Sequence, residues 1–509
     1  VFAALLTLTA ASAFADVKLP SLFSDHMVLQ AGVPVSVWGR AEAGEAVTVA
    51  IAGQTKTATA GADGKWAVKL DPLAAGGPHE LTAKGNPSAG SGRGSSVVVR
   101  DVLVGDVWLC SGQSNMAMSV GRANDFEKEK AEADFPKIRT FTVMGRASDA
   151  PQDECPGGWL VCSTQSVGGF SATAYFFGRE IHRKTGVAVG LINSSVGGTP
   201  IEAWTSREAQ EKLPEVKPIF DRWAKMQAEW DPAKAKAEYE KALAESKASG
   251  KQAPRQPVEP RLATSCPATL FNGKIAPLIP YAIRGAIWYQ GEANSRGDPG
   301  LYRLQLEALV KDWRSRWGEE FPFAWVQLPD FMKPQAAPSE DTGWVFVRDG
   351  MLRALGLPRT GMAVALGTGA EADIHPKNKQ EVGRRLAQWA LADVYGVKDA
   401  VASGPLPAGH KVEGNRVVVA FRHADGGLVA KGGELKGFAI AGKDRAWKWA
   451  KATIQGETVV VESPEVPEPV AVRYAWASNP VEANLVNGAG LPASPFRTDD
   501  WPFAGKGAY

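Results

Sequence analysis

At 509 residues the chain is too long for one hydrophobic core and implies roughly two to four domains. Hydrophobic residues make up 44% and charged residues 22%, and 57 Lys and Arg face 55 Asp and Glu for a formal net charge of +2. So even a balance argues against nucleic acid or an anionic membrane surface as the partner.

The chain opens on VFAALLTLTAASAFADV, an apolar run leading to Ala13-Phe14-Ala15, an A-x-A site before Asp16. The run is too short to cross a bilayer and has the form of the apolar region and cleavage site of a secretory signal. The expectation is a periplasmic or secreted protein, with residues 1–15 a signal remnant and no membrane insertion. From 16 to 100, MVLQ, VPVSVWG, EAVTVAIAG, QTKTATAG, KWAVKL and HELTAKG are short alternating runs divided by Gly, Pro and Asp turns. That pattern predicts a small N-terminal β-sandwich, with the Gly/Ser-rich NPSAGSGRGSS as a loop.

From 101 to 399 the rhythm changes. Apolar β runs at 104–110, 138–143, 187–192, 283–289, 323–328 and 362–366 alternate with amphipathic stretches at 172–183, 302–317 and 378–394. Strand–helix alternation predicts an α/β domain with a parallel sheet and helices on both faces. Residues 206–263, rich in Lys, Glu, Ala and Gln, interrupt it as an exposed helical insertion. Two readings fit the insertion, a cap over one end of the sheet or a surface decoration. From 400 to 509 the chain returns to β runs, and its tail, NLVNGAGLPASPFRTDDWP, is read as extended and wrapped on the body.

The 17 Trp are ascribed mainly to the cores of the β regions, with sugar stacking as the other use of an indole. Of the four Cys, Cys155 and Cys162 lie close across a Gly-Gly turn and would pair in an exported protein, whereas Cys110 reads as a small buried thiol. No C-x-x-C pair is present, which leaves no signal for a structural zinc.

In parallel α/β folds ligands bind beyond the C-terminal ends of the strands. The polar residues there are Gly112, Gln113, Ser114 and Asn115, then Asn193 to Gly198, then Gln290, Gly291, Glu292 and Asn294, and last Asp373 and His375. A serine needs a base to act as a nucleophile, and a carboxylate fixes the tautomer of an imidazole base. Ser114, His375 and Asp373 supply that set. The N–H groups of Ser114 and of the Gly197-Gly198 turn face a developing oxyanion, with an amide from Gln290 or Asn294 as a further donor. Gln113 and Glu292 are left for substrate. His375 is chosen partly by elimination: His26, His79, His410 and His423 lie in the flanking β regions, and His182 reads as a solvated helix residue. The G-x-S-x-G elbow is absent, since Met116 holds its last position.

CSGQSNM, SSVGGTPIEAW, ATLFNGKIAPLIPYAIRGAIWYQGEAN and DIHPKNKQEVGRRLA, with LFSDHMVLQAGVPVSVWG and NGAGLPASPFRTD near the two ends, resemble the bacterial sialate O-acetylesterase family within the SGNH/GDSL-type hydrolases. The resemblance implies a flavodoxin-like three-layer domain with accessory β domains, and serine esterase chemistry removing acetyl groups from sugar hydroxyls. It places the nucleophile at Ser114, the base at His375, the orienting acid at Asp373 and the second oxyanion block near Gly198. The third block departs from G-x-N-D, reading Q-G-E-A-N, which leaves Gln290 and Asn294 both open. The D-x-H spacing is one shorter than the common D-x-x-H, which makes Glu292 the runner-up acid.

The expected function is thus a carbohydrate O-acetylesterase acting on O-acetylated sialic acids or on acetylated plant polysaccharide such as xylan or xyloglucan, with no metal or organic cofactor. The alternative is a non-catalytic carbohydrate-binding or adhesion protein; a hydrolase of peptide or lipid esters ranks last.

Overall fold

The computed structural model describes residues 16–86 and 95–502. The signal-like segment and most of the Gly/Ser-rich loop lie outside the described residues.

The central sheet is built from β1 (Ser96–Gly112), β2 (Phe135–Thr142), β3 (Trp159–Cys162), β4 (Val189–Ser195), β5 (Gly285–Tyr289), β6 (Phe323–Gln327) and β7 (Thr360–Val364). Its spatial order is β7-β6-β5-β1-β4-β2-β3. Every pairing is parallel except β2 with β3. The sheet is therefore mixed rather than wholly parallel, because the short β3 turns back to cover the outer edge of β2. With β2 and β3 set aside, the remaining five strands run 2-1-3-4-5, a doubly wound order that switches direction at β1.

The strands alternate between two cores, as period-two side chains buried on both faces must. Leu109, Trp288, Trp325 and Val364 join one cluster. Cys110, Tyr289, Val326 and Ala363 join the other. Helices α1 (Ala172–Thr185) and α4 (Lys379–Trp389) cover the second face with Phe176, Phe177, Val382 and Leu386. Helices α2 (Tyr302–Trp317) and α3 (Gly343–Ala354) cover the first with Leu306, Trp313, Val347 and Met351. Caps set the ends: Ser171 Oγ accepts the Ala174 N–H at 3.2 Å, and Gly186 closes α1 at φ +70°. The stretch expected as one helix over 378–394 is α4 followed by a π turn, Ala390–Val394.

The N-terminal β region is two-layered, Val35–Arg40 pairing with Lys65–Leu70 while Ala46–Ile51 lies between Gln54–Thr59 and Gly76–Asn86. Its last strand is β1 itself. The first part of β1 pairs with Gly76–Asn86, and its latter part enters the centre of the α/β sheet. The change of rhythm near residue 101 thus falls inside one strand. The C-terminal region holds two four-stranded antiparallel sheets, and the tail is pinned to the body by Gln327 Nε2 donating to Ser494 Oγ at 2.9 Å and Arg497 Nε donating to Asp349 at 3.0 Å.

Two expectations about apolar residues are corrected. Buried indoles concentrate in the α/β body (Trp108, Trp159, Trp204, Trp288, Trp313, Trp325, Trp344 and Trp389) rather than in the β regions, which bury Trp66 and Trp476. A sheet covered on both faces makes the deeper core, and nearby oxygens accept from most of the rings, as Trp204 O does from Trp313 at 3.0 Å, though Trp325 Nε1 finds no acceptor among the described residues. Cys155 and Cys162 do not pair; all four cysteines are free and buried. Cys155 packs into the first cluster and Cys162 into the second, on opposite sides of the sheet, and burial raises both thiols to about 11. His182 is half-buried rather than solvated, with Nδ1 2.6 Å from Val187 O and its ring edge-on to Phe135.

Candidate active site

The serine turn depends on a glycine. At Gly112 the chain adopts φ +137°, and a Cβ there would lie 2.1 Å from Tyr289 O of the neighbouring β5. Only glycine allows that approach. Gln113 N–H donates to the same carbonyl at 2.9 Å, and Ser114 opens a four-residue helix, Ser114–Ala117. The next strand over, β4, delivers the Gly-Gly turn: a Cβ on Gly197 would sit 3.4 Å from Ser114 Cβ, and Gly198 turns at φ +72°.

After β7, the loop to α4 brings Asp373 and His375. Asp373 Oδ1 accepts the His375 backbone N–H at 2.8 Å and lies 3.6 Å from Nδ1. Burial holds the imidazole below its ordinary range, and the Asp373 carboxylate opposes that shift. Among the described residues no hydrogen bond joins Ser114 Oγ to His375; such bonds are often long before substrate enters.

Gln113, Ser114, Gly198, Glu292, Asn294 and His375 line one cavity of about 870 Å³ at the C-terminal ends of the strands. The insertion supplies Glu215, Pro218, Ile219, Arg222 and Arg255 to the same wall. Its longest helix, Pro232–Ser249, buries only Ser246. The cap reading thus fits residues 215–222 and Arg255, and the decoration reading fits the helix between them.

Gln290 stands apart. It is fully buried, and its Nε2 donates to Gln113 Oε1 (3.2 Å), Thr199 O (3.1 Å) and Asn294 Oδ1 (2.7 Å), while Tyr302 Oη donates to its Oε1 at 2.9 Å. Asn294 Nδ2 donates to Glu202 Oε2 at 3.0 Å and reaches Gln305 Oε1 only at 3.5 Å. Gln113 Oε1 also accepts from the Ala293 N–H at 3.2 Å. Glu292 is 3% exposed, and burial raises its carboxyl against a hydrogen bond from Asn115.

Sequence reasoning gave no role to Asn115, Glu202 or Lys379. Glu202 is buried and its carboxyl is raised by desolvation. Lys379 is fully inside, with its ammonium pushed down to about 7. A lysine in HPKNK at a helix start gives no outward signal of burial. Among the described residues no group of three or more His, Cys, Asp and Glu is placed to hold a metal ion, and no helix is long and apolar enough to cross a membrane.

A doubly wound α/β body with a serine and a histidine on one cavity at its strand ends defines a hydrolase-like site, and the comparisons name the class. Residues 104–254 match a family model described as carbohydrate esterase, sialic acid-specific acetylesterase. The chain is 31% identical to the sialate O-acetylesterase of Rattus norvegicus, covering 94% of each, and 30% identical to that of Homo sapiens, covering 94% of this chain and 92% of the human one. A carbohydrate acetylesterase from Xanthomonas citri has a similar structure, with a TM-score of 0.81 and 35% identity over 95% of this chain and 100% of the other. The chain belongs to the sialate O-acetylesterase family. It is a carboxylic ester hydrolase, and the non-catalytic alternative falls away.

Proposed function

We propose that the protein is a serine esterase of the SGNH type that removes acetyl groups from sugar hydroxyls through an acetyl-enzyme. The observation that carries the reading is the meeting of Ser114, Gly198, Asn294 and His375, from four different strand ends, on one cavity. The 2-1-3-4-5 order with the serine after its first strand agrees with it.

Ser114 Oγ attacks the acetyl carbonyl carbon while His375 takes its proton, and Asp373 orients the imidazole. The N–H groups of Ser114 and Gly198 receive the oxyanion. Asn294 is the better third donor. It faces the cavity with one amide proton weakly engaged, whereas every Gln290 contact is internal. Collapse breaks the bond to the sugar oxygen, which leaves with the proton from His375. Water, deprotonated by His375, then attacks the acetyl group and frees acetate and Ser114. Gln113, whose Oε1 is already engaged by backbone, turns its Nε2 to the sugar, with Glu292 beside it.

The substrate is an O-acetylated sugar, either a sialic acid or an acetylated plant polysaccharide such as xylan or xyloglucan. Among the exposed charges of the wall, Arg222, Arg255 and Arg296 outnumber Glu215 and Asp298, and that balance favours an acidic sugar. Export remains part of the reading, resting on residues 1–15; sequencing the mature N-terminus should find Asp16 at or near the start.

The test is acetate release by wild type and Ser114→Ala from p-nitrophenyl acetate, acetylated sialic acid and acetylated xylan or xyloglucan. Turnover in the folded variant should fall by roughly three orders of magnitude or more. A variant that keeps its rate would refute the nucleophile.

A further inference from the structure

A charged assembly beneath the serine turn has no part in the chemical steps above. Lys379 is the first residue of α4 and is 0% exposed. A cation at a helix N-terminus opposes the helix dipole. Burying an ammonium adds a desolvation cost, and replacing a buried charged set as a whole by apolar side chains is commonly neutral or stabilising. Stability alone does not explain this lysine.

Its contacts do. Lys379 Nζ donates to Asn115 Oδ1 at 2.6 Å and lies 5.0 Å from the centre of the Tyr289 ring. Asn115, fully buried, directly follows Ser114. Its Nδ2 donates to Glu292 Oε1 and, at 3.0 Å, to Ile374 O. Ile374 stands between Asp373 and His375. One amide therefore joins the serine turn, the end of β5 and the base loop. An ammonium only donates, while a carboxylate and a carbonyl only accept. Lys379 on one side and Glu292 with Ile374 O on the other leave the Asn115 amide a single orientation.

We propose that Lys379, Asn115 and Glu292 are positioning residues, a buried chain of hydrogen bonds that locks the Ser114 turn to the His375 loop and sets their alignment for attack. The inference rests on the serine-esterase reading. Without Lys379 the Asn115 Oδ1 loses its donor, and the serine turn is held to the base loop and to Glu292 from one side of the amide only. Reacting groups displaced by about 1 Å can lose roughly 100-fold in rate.

The experiment compares Lys379→Met and Asn115→Ala with wild type. Active sites are titrated by the burst of p-nitrophenol, kcat and KM for p-nitrophenyl acetate are measured per titrated site, and Tm is recorded. The expected result for Lys379→Met is a lower Tm, since Asn115 Oδ1 loses its donor and Glu292 its opposite charge, with a KM within about two-fold of wild type and a per-site kcat lower by roughly 100-fold in the folded fraction. Asn115→Ala should lower per-site kcat at least as far. A purely structural role would lower Tm and the titrated fraction together and leave per-site kcat intact, which overturns the proposal. If Lys379→Met does not fold, the charge-neutral Lys379→Met/Glu292→Gln pair is read in the same way; failure of that pair to fold also overturns it. Ser114→Ala separates the two ideas: if that variant keeps its rate, the reading of Ser114 as nucleophile itself fails, whatever Lys379 does.

Discussion

His375 is pulled two ways, by burial, which favours the neutral ring, and by the Asp373 carboxylate, which favours the charged one. Burial is the larger, so the group lies below its ordinary 6.5. A general base works when neutral, so activity is lost only as pH falls through that lowered value. The acid limb of kcat/KM should therefore have its midpoint below pH 6.5. Asp373→Asn removes the opposing charge, so the limb should move lower still; an upward move would contradict the assignment. Asp373 is 49% exposed and 3.6 Å from Nδ1, so its loss should cost kcat roughly 10- to 100-fold, less than for a buried triad aspartate. Gly112 admits less latitude. A methyl group there meets the Tyr289 backbone at a positive φ, and Gly112→Ala should destabilise the fold by about 3 kcal/mol or more in urea unfolding.

At the scale of elements, Arg222 on the helix Lys217–Ala228 and Arg255 wall the cavity from the insertion, outside the strand ends that carry Ser114 and His375. They should act on the sugar and not on the acyl chemistry. Arg222→Ala with Arg255→Ala is expected to lower kcat/KM for an acetylated acidic sugar by about 3- to 10-fold, modest because the side chains are exposed, and to affect p-nitrophenyl acetate far less. Parallel loss on both esters would place the arginines in the chemistry instead. Strand and helix positions were legible because their periodicity is strong: α2 begins and ends where the 302–317 pattern does. The hairpin partner β3 was not, since four residues, two of them buried, carry too little pattern to mark a strand.

For the whole molecule the decisive element is β1. It is the last strand of the N-terminal β region and the centre of the α/β sheet at once, pairing with Gly76–Asn86 and Val28–Gln30 early and with β4 and β5 late. Cutting at residue 100 would expose edges on both sides. Urea unfolding followed by far-UV circular dichroism, Trp fluorescence and activity should give coincident transitions for the N-terminal region and the body, and residues 101–399 alone should not yield a stable active domain. Separate transitions would show that the shared strand does not couple them.

What the sequence by itself determined is the ester-hydrolase family and the places of the polar residues that follow its strands. Ser114, Asp373 and His375 each follow a buried strand run, and strand ends on one edge of a parallel sheet converge whatever their separation in the chain. Alternation and turn residues are local signals, so they were readable. What only the tertiary structure decided is the state of each polar group. Gln290 and Asn294 look alike in WYQGEAN, yet one is bonded wholly inward and the other faces the cavity. Cys155 and Cys162 are close in the chain but lie on opposite faces of a sheet. Lys379 carries no local sign of burial, yet it is buried against Asn115, 264 positions away. Burial and hydrogen-bond partners are set by contacts between distant segments, and no local pattern encodes them.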